Sequence, residues 1–209
     1  MCGRYTLQVS NRPTLKTPGL PLADRFNIAP QSPVLVINPD GDYEIKPWDY
    51  SPAWAREPMH ITNARSETLR EKPAFRKADR CVFVADGWFE WQRRGDYKQP
   101  WYHHLDGALL FFAGICSRNG GCAIVTRPAL QHLADIHHRQ PVLLEERAIN
   151  HWLEGHDLFA SGVTHEVRCH PVSRRVNKPD QDDPKLLEEI TLESERAVEK
   201  PTTPDLFSR

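Results

Sequence analysis

The residue best suited to do chemistry is Cys2, which directly follows Met1. A small second residue usually allows Met1 to be removed, so we expect the mature chain to begin with Cys2. Its α-amine would have a pKa of about 7.7–8.0 and its thiol one of about 8.5, which leaves both partly deprotonated near neutral pH. With an aldehyde, such an aminothiol forms a Schiff base through the amine, and the thiol then closes a five-membered thiazolidine. By position alone, Cys2 is better explained as an ordinary second residue.

The other cysteines stand at positions 81, 116, 122 and 169. The total is odd, and no C-x-x-C pair or zinc-ligand spacing occurs, which argues against a disulfide scaffold and a structural zinc site. Cys81, Cys116 and Cys122 lie in apolar stretches, where free cysteine behaves as a small buried hydrophobe. We therefore expect no metal.

The composition indicates one folded domain followed by a charged tail. The chain has 209 residues, 39% of them hydrophobic, and no apolar run reaches the ~18 residues that a membrane helix needs. Without a signal-peptide core either, we expect a cytoplasmic protein with no membrane partner. Residues 178–209 contain five Lys and Arg against nine Asp and Glu, a net charge of −4, and the remainder carries +3. We predict a domain over 2–177 and an acidic, disordered tail over 178–209.

Short segments rich in Val, Ile and aromatic residues predict strands. They span 32–37, 80–91, 108–116, 122–126 and 165–173, and turn residues at 38–41, 94–96 and 118–121 predict hairpins. Helical spacing of apolar residues is limited to 67–72, 129–136, 144–153 and a short stretch at 185–190. The pattern favours a strand-dominated α+β domain with a mainly antiparallel sheet.

Six short blocks resemble one known family in their order and spacing. They are Cys2-Gly3-Arg4-Tyr5, 25–30 (RFNIAP), 63–68 (NARSET), 85–91 (ADGWFEW), 136–141 (IHHRQP) and 170–173 (HPVS). The family is SRAP, the SOS response-associated peptidase domain, which crosslinks to abasic sites in single-stranded DNA. The resemblance covers about 2–177 and implies a curved, barrel-like antiparallel sheet with no metal or organic cofactor. Departures are Asp49 after Trp48, where the family has Gly, Gln140 in place of Met, and a short segment between Arg4 and Arg25.

The resemblance implies a role for four residues. Cys2 would be the nucleophile that joins C1′ of the opened abasic sugar, and Asn63 would hydrogen-bond near its sulfur. Glu90 would move protons beside the amine and sugar, and His137 would serve the sugar oxygen. From the residues alone, Glu90 could instead pair with an Arg on a strand, Asn63 could cap a helix, and His137 and His138 could not be told apart.

DNA binding needs cations for phosphates and aromatic faces for bases. We expect Arg4 and Arg65 to contact phosphates and Trp54 and Trp91 to stack on bases. Two other tryptophans, Trp48 and Trp152, are expected in the core. The predicted function is a sensor that shields abasic sites in the DNA damage (SOS) response, in a nucleoid-associated location if bacterial, with a peptidase activity that removes Met1.

Two other functions fit parts of the sequence. An N-terminal-nucleophile glutamine amidotransferase also begins Met-Cys-Gly, and Asn119-Gly120 could supply its oxyanion hole, although a hairpin turn explains that step better. A single-stranded DNA-binding module without covalent chemistry would not need the Cys2 thiol. Separately, the ending Asp205-Leu206-Phe207 resembles motifs that bind the bacterial sliding clamp, and a functionless tail end is the alternative.

Overall fold

The structure is a computed structural model that describes residues 2–15, 19–118, 120–160, 163 and 166–192. These residues form thirteen strands and two short α-helices. The strands are β1 (Arg4–Leu7), β2 (Arg25–Ile28), β3 (Pro33–Ile37), β4 (Tyr43–Pro47), β5 (Asn63–Arg65), β6 (Asp79–Ala85), β7 (Gly87–Arg94), β8 (Tyr97–His104), β9 (Leu110–Cys116), β10 (Cys122–Pro128), β11 (Arg139–Pro141), β12 (Leu143–Leu144) and β13 (Arg168–Pro171). The helices are α1 (Gln131–Ala134) and α2 (Ile149–Leu153). The strand-dominated α+β prediction is therefore confirmed.

The strands form two sheets instead of one. A five-stranded sheet has the order β13-β8-β7-β1-β2, and an eight-stranded sheet has the order β11-β10-β9-β6-β3-β4, with β12 beside β9 and β5 beside β10. All pairs are antiparallel except β5 with β10, which is parallel. Across the described strands neither sheet closes on itself, so the barrel-like closure implied by the family resemblance is not found.

One continuous segment links the two sheets. The sequence predicts a single strand over 80–91, but β6 lies in the larger sheet and β7 in the smaller one, with Asp86 between them. The N–H of Asp86 donates to Thr6 O at 2.9 Å, and its carboxylate accepts from Gln8 N at 2.7 Å and from the Thr6 hydroxyl. These bonds to β1 and the residue after it fix the corner, because they satisfy polar groups that the bend leaves unpaired. Glu90 follows four residues later on β7.

The core is aromatic and lies between the sheets. Edge-to-face contacts join Tyr5 to Trp48, Phe83 and Phe112, with ring centroids 5.4–6.3 Å apart. Trp48 and Trp152 are fully buried, as predicted. Cys81, Cys116 and Cys122 are free and buried, also as predicted, and Cys169 is free and half-buried.

The helices are shorter than the sequence pattern predicts. Where the sequence predicts a helix over 67–72, the structure has a single 3₁₀ turn over Ser66–Thr68. The helix predicted over 129–136 is observed as α1, and the one predicted over 144–153 is observed as α2 with a preceding 3₁₀ turn. Leu143 and Leu144 form β12 against β9, so the start of the predicted helix is used as a strand. In the described part of the chain, no helix has both the length and the apolar character to cross a bilayer.

The segment predicted as a mobile tail begins with ordered structure. Pro184–Leu187 form a 3₁₀ helix at the predicted short helix, and Leu186 is fully buried against Phe89 and Tyr102. For residues 178–192 this differs from the expectation of disorder, because Leu186 completes a small apolar cluster on the smaller sheet. The remainder of the predicted tail, 193–209, lies outside the described residues.

Candidate active site

Cys2 lies just before β1, at the junction of the two sheets, and is fully buried. The side-chain amide of Asn63 donates to the Cys2 carbonyl oxygen at 3.0 Å and to Thr62 Oγ1 at 3.1 Å. Asn63 opens β5, whose parallel pairing with Ile124 of β10 fixes its position. The structure thus brings Asn63 to Cys2, but the bond goes to the backbone carbonyl and not to the sulfur, near which the family resemblance implied it.

The Cys2 thiol is in an environment that keeps its proton. Burial raises the pKa of this thiol well above its ordinary value, and the nearby charge of Glu90 raises it further. Its Sγ lies 3.8 Å from the carbonyl oxygen of Arg4, its hydrogen-bond acceptor. A chemical step at this sulfur therefore needs a group that removes the proton as the bond forms.

Glu90 and His137 form a close pair beside Cys2. Glu90 Oε2 lies 3.7 Å from His137 Nδ1, and the Glu90 side chain is almost fully buried. Burial raises the pKa of Glu90 to about 7 and lowers the pKa of His137 to about 4. Near neutral pH the imidazole is neutral and the carboxyl group is close to half-protonated. Such a pair can accept or release a proton at little cost.

The structure distinguishes the two adjacent histidines. His137 is half-buried and faces Glu90, and the Arg139 N–H donates to its Nδ1 at 3.1 Å. The ring of His138 is exposed, with its centroid 4.5 Å from that of His137. The geometry therefore brings the first histidine to the candidate site, the choice that the family resemblance implied.

An open cleft of about 600 Å³ begins at this pair. Its walls also contain residues that the sequence reasoning missed: Asp96, Tyr97, Lys98, Arg174 and Asn177. Tyr97 and Lys98 come from the hairpin between β7 and β8, and the Arg174 guanidinium lies 5.4 Å from the centre of the Tyr97 ring. The predicted turn at 94–96 was a signal for this wall, since it sets Tyr97 opposite Arg94.

The four predicted DNA contacts are placed differently. Trp91 lines the cleft, and its indole N–H donates to Asn177 Oδ1 at 2.7 Å. Arg4 is half-buried and bonds Asn27 Oδ1 at 2.9 Å and Val176 O at 3.0 Å. Arg65 is exposed at the end of β5, and Trp54 is 60% exposed, with its indole N–H 3.3 Å from Pro73 O. Trp91 alone of the four is among the cleft-lining residues.

The described residues contain no cluster of three or more His, Cys, Asp or Glu placed to hold a metal ion. The titratable groups of the site are a thiol, a carboxyl group and an imidazole. These groups supply nucleophilic and acid–base chemistry.

Comparison with known proteins places this geometry in a family. The model of the SOS response associated peptidase (SRAP) family matches residues 1–179. Abasic site processing protein YedK of Escherichia coli is 34% identical over 189 residues, covering 79% of this chain and 85% of that protein. Abasic site processing protein YoqW of Bacillus subtilis is 30% identical over 223 residues, covering 90% of this chain and 99% of that protein. A crystal structure from Bacteroides thetaiotaomicron shares the fold with a TM-score of 0.68 at 21% identity, covering 90% and 93% of the two chains. The chain belongs to the SRAP family.

Proposed function

We propose that this chain processes abasic sites in single-stranded DNA by forming a covalent thiazolidine at Cys2. The observation that carries the proposal is that Cys2 lies beside the Glu90–His137 pair at the end of an open cleft. Asn63 fixes Cys2 there by a hydrogen bond to its carbonyl oxygen. Relatives that match most of the chain are named abasic site processing proteins. The adduct would shield the lesion in the DNA damage response.

The reaction balances without a cofactor. After removal of Met1, the Cys2 amine attacks C1′ of the ring-opened sugar, an aldehyde, and forms a carbinolamine. Loss of one water gives the imine, and the Cys2 sulfur then adds to the same carbon. The thiol proton ends on the nitrogen, so amine, thiol and aldehyde yield a thiazolidine and water.

Glu90 and His137 are suited to the proton transfers. With a pKa of about 7, Glu90 can protonate the departing hydroxyl of the carbinolamine as an acid and take the thiol proton as a base. Burial keeps His137 neutral, so it can accept or donate at the sugar oxygen without an ionised group in the site. Asn63 Oδ1 is buried and has no hydrogen-bond partner among the described residues, so it can accept from the sugar or the amine.

DNA would lie along the cleft. Trp91 lines the cleft, and Arg4 and Arg65, which are not among the cleft-lining residues, would supply cations for the phosphates of the strand. Trp54 is 60% exposed, and an exposed indole can stack on an unpaired base. The same Cys2, Glu90 and His137 would serve in the autocatalytic hydrolysis that removes Met1.

The amidotransferase alternative gains no support from the hairpin that it would use. Cys116 and Cys122 face each other across β9 and β10, and Ser117 N donates to Gly121 O at 3.1 Å. Gly120 N also donates to Ser117 O at 3.2 Å, so these contacts belong to a tight turn, and Asn119 lies outside the described residues. The sliding-clamp hypothesis concerns residues 203–209, which also lie outside them, and it stays a proposal.

A denaturing gel and an intact mass test the function. The full chain is mixed with a single-stranded oligonucleotide that carries one abasic site. We expect a Met-less protein and a stable band whose mass equals protein plus DNA minus one water. Cys2→Ala should lose the stable band, because it lacks the thiol that closes the ring. Cys169→Ala, which removes the half-buried thiol away from the site, should retain it.

Cys2→Ser sharpens the test, because it keeps the amine and exchanges the thiol for a weaker nucleophile. We expect it to give an adduct that survives denaturation only after borohydride reduction of the imine. If Met1 is removed and the unmodified chain forms no adduct, the proposal is wrong, and glutamine hydrolysis becomes the next assay.

A further inference from the structure

Residues 178–192 form a strap that crosses the smaller sheet beside the site. Leu186 anchors the strap in an apolar cluster with Phe89 and Val176, and Glu189 forms a bridge with Val172. The match to the family model ends at residue 179, so almost all of the strap lies beyond it. The strap therefore belongs to the folded body although it follows the matched domain.

Asp182 fastens the strap to the edge strand β2. Its Oδ1 accepts the backbone N–H of Phe26 and, at 2.9 Å, that of Asn27, and its Oδ2 accepts from Arg25 Nε at 2.8 Å. Two edge N–H groups and one guanidinium are thus bound by a single carboxylate. Charge-assisted bonds of this kind are the stronger class of hydrogen bond.

Asn27 joins the strap to Arg4. The Asn27 side chain is almost fully buried, and its Nδ2 donates to the carbonyl oxygens of Val176 at 3.2 Å, Lys178 at 3.1 Å and Gln181 at 2.8 Å. Its Oδ1 accepts from Arg4 Nη1 at 2.9 Å, and the same Nη1 donates to Val176 O at 3.0 Å. The position of the Arg4 guanidinium is therefore set by Asn27 and the chain leading into the strap.

This arrangement fixes one end of the guanidinium and leaves donors for a ligand. Arginine has five N–H donors, and the two on Nη1 match the two acceptors at Asn27 and Val176. The donors on Nε and Nη2 form the fork that suits a phosphate. Because folding has already ordered the side chain, DNA binding does not have to restrict it again.

We propose that the strap positions Arg4 for a DNA phosphate, with Asn27 and Asp182 as positioning residues. The proposal rests on the proposed function, since it assumes that single-stranded DNA is the ligand. If the strap only stabilised the fold, its effect on DNA binding would not depend on Arg4. The proposal requires that this effect be lost when Arg4 is absent.

The test measures the salt dependence of DNA binding by the full chain. Fluorescence anisotropy with an oligonucleotide that carries a tetrahydrofuran abasic analogue reports binding without crosslinking, because the analogue has no aldehyde. Each phosphate contact to single-stranded DNA contributes about 0.7 to the slope of log K against log salt. We expect Asp182→Ala and Arg4→Ala each to make the slope shallower by about 0.7, and the double variant to lose no more than either.

Asp157→Ala is the matched control. The Asp157 side chain is 27% exposed against 29% for Asp182, and it also binds arginines, Arg70 and Arg80. Both variants remove one negative charge, and this loss of charge by itself would strengthen DNA binding equally in both. Because Asp182→Ala also releases Arg4, we expect that variant alone of the two to bind DNA more weakly.

An unchanged slope in a folded Asp182→Ala variant would overturn the proposal. So would an additive loss in the double variant, since Asp182 would then act through another group. If Asp182→Ala fails to fold, Asp182→Asn replaces it, because the Asn side chain keeps an oxygen for the Phe26 and Asn27 N–H groups. Asp182→Asn is then measured alone and combined with Arg4→Ala. Absence of DNA binding by the unmodified chain overturns the proposed function and this inference together, whereas normal DNA binding with no crosslink overturns the covalent function alone.

Discussion

Replacing Glu90 by Gln is expected to stabilise the fold above neutral pH. The Glu90 side chain is almost fully buried, and this burial raises the pKa of its carboxyl group from 4.5 to about 7. Above that pH the folded chain holds a carboxylate in a place that favours the neutral acid, and the free energy of unfolding is lower there than below pH 4.5. Gln has nearly the same shape and no charge, so the variant lacks this penalty.

The size of the effect follows from the two pKa values. A pKa difference of one corresponds to about 1.4 kcal/mol, so a change from 4.5 to about 7 amounts to about 3 kcal/mol. The folded state binds the proton more tightly than the unfolded state does. The penalty is therefore absent below pH 4.5, grows as the pH rises, and is complete above about pH 7.

Urea unfolding near pH 5 and near pH 8 measures this difference. The gain in unfolding free energy from Glu90→Gln should be below about 1 kcal/mol at the lower pH and about 3 kcal/mol at the higher one. Glu67→Gln is the control, and its change in stability should have the opposite sign. The bond to Arg139 lowers the pKa of Glu67 from 4.5 to about 2, so this variant should lose stability at both pH values. Equal gains at both pH values for Glu90→Gln would show that ionisation of Glu90 does not destabilise the folded chain.

Three further outcomes are expected. The crosslinking rate, read from quenched time points on gels, should rise as the amine loses its proton and fall as Glu90 ionises above about pH 7, whereas Glu90→Gln should be slower and show only the rise. Gly121→Ala should lower stability by about 1–3 kcal/mol in thermal unfolding, because an added Cβ would lie 2.1 Å from the Asp49 carbonyl oxygen. Trp152→Phe should cost about 1–3 kcal/mol in urea unfolding, since the indole N–H donates to Cys81 O at 2.9 Å.

The strands were predictable because their signals are local. The hairpin at 94–96 is confirmed by the pairing of Arg94 with Tyr97 and by the positive φ of 61° at Gly95, a conformation that glycine adopts without strain. The division of 80–91 between two sheets was not predictable, because the corner at Asp86 depends on partners about 80 residues earlier in the chain. Alternation and composition carry no information about which sheet a strand joins.

The site shows the same limit. The motifs shared with the family predict Cys2, Asn63, Glu90 and His137 as site residues, and the structure places Asn63 at Cys2 and His137 at Glu90. Arg174 and Asn177 in the cleft wall are not predictable from the sequence, since their contacts join distant parts of the chain, as Trp91 and Asn177 do across 86 positions. The acidic, Pro-punctuated composition of the strap predicts a mobile tail, because the few apolar residues that anchor it give a weaker signal than the charged ones.

The electrostatics of the site explain why the acid and the base belong together. Burial is the largest cause that shifts the pKa of Glu90 upward and that of His137 downward, and nearby positive charges lower the pKa of His137 further. Near neutral pH the pair therefore carries at most a fraction of one negative charge. A proton that leaves the Cys2 thiol can pass to Glu90 without creating a full ion pair in the buried junction. In an ion pair of ionised Glu90 and protonated His137, each charge would stabilise the other. Glu90 would then be a weaker base for the thiol proton, and His137 would be a weaker acid toward the product nitrogen. The 3.7 Å separation of the two groups in a buried position is therefore suited to proton transfer more than to a salt bridge.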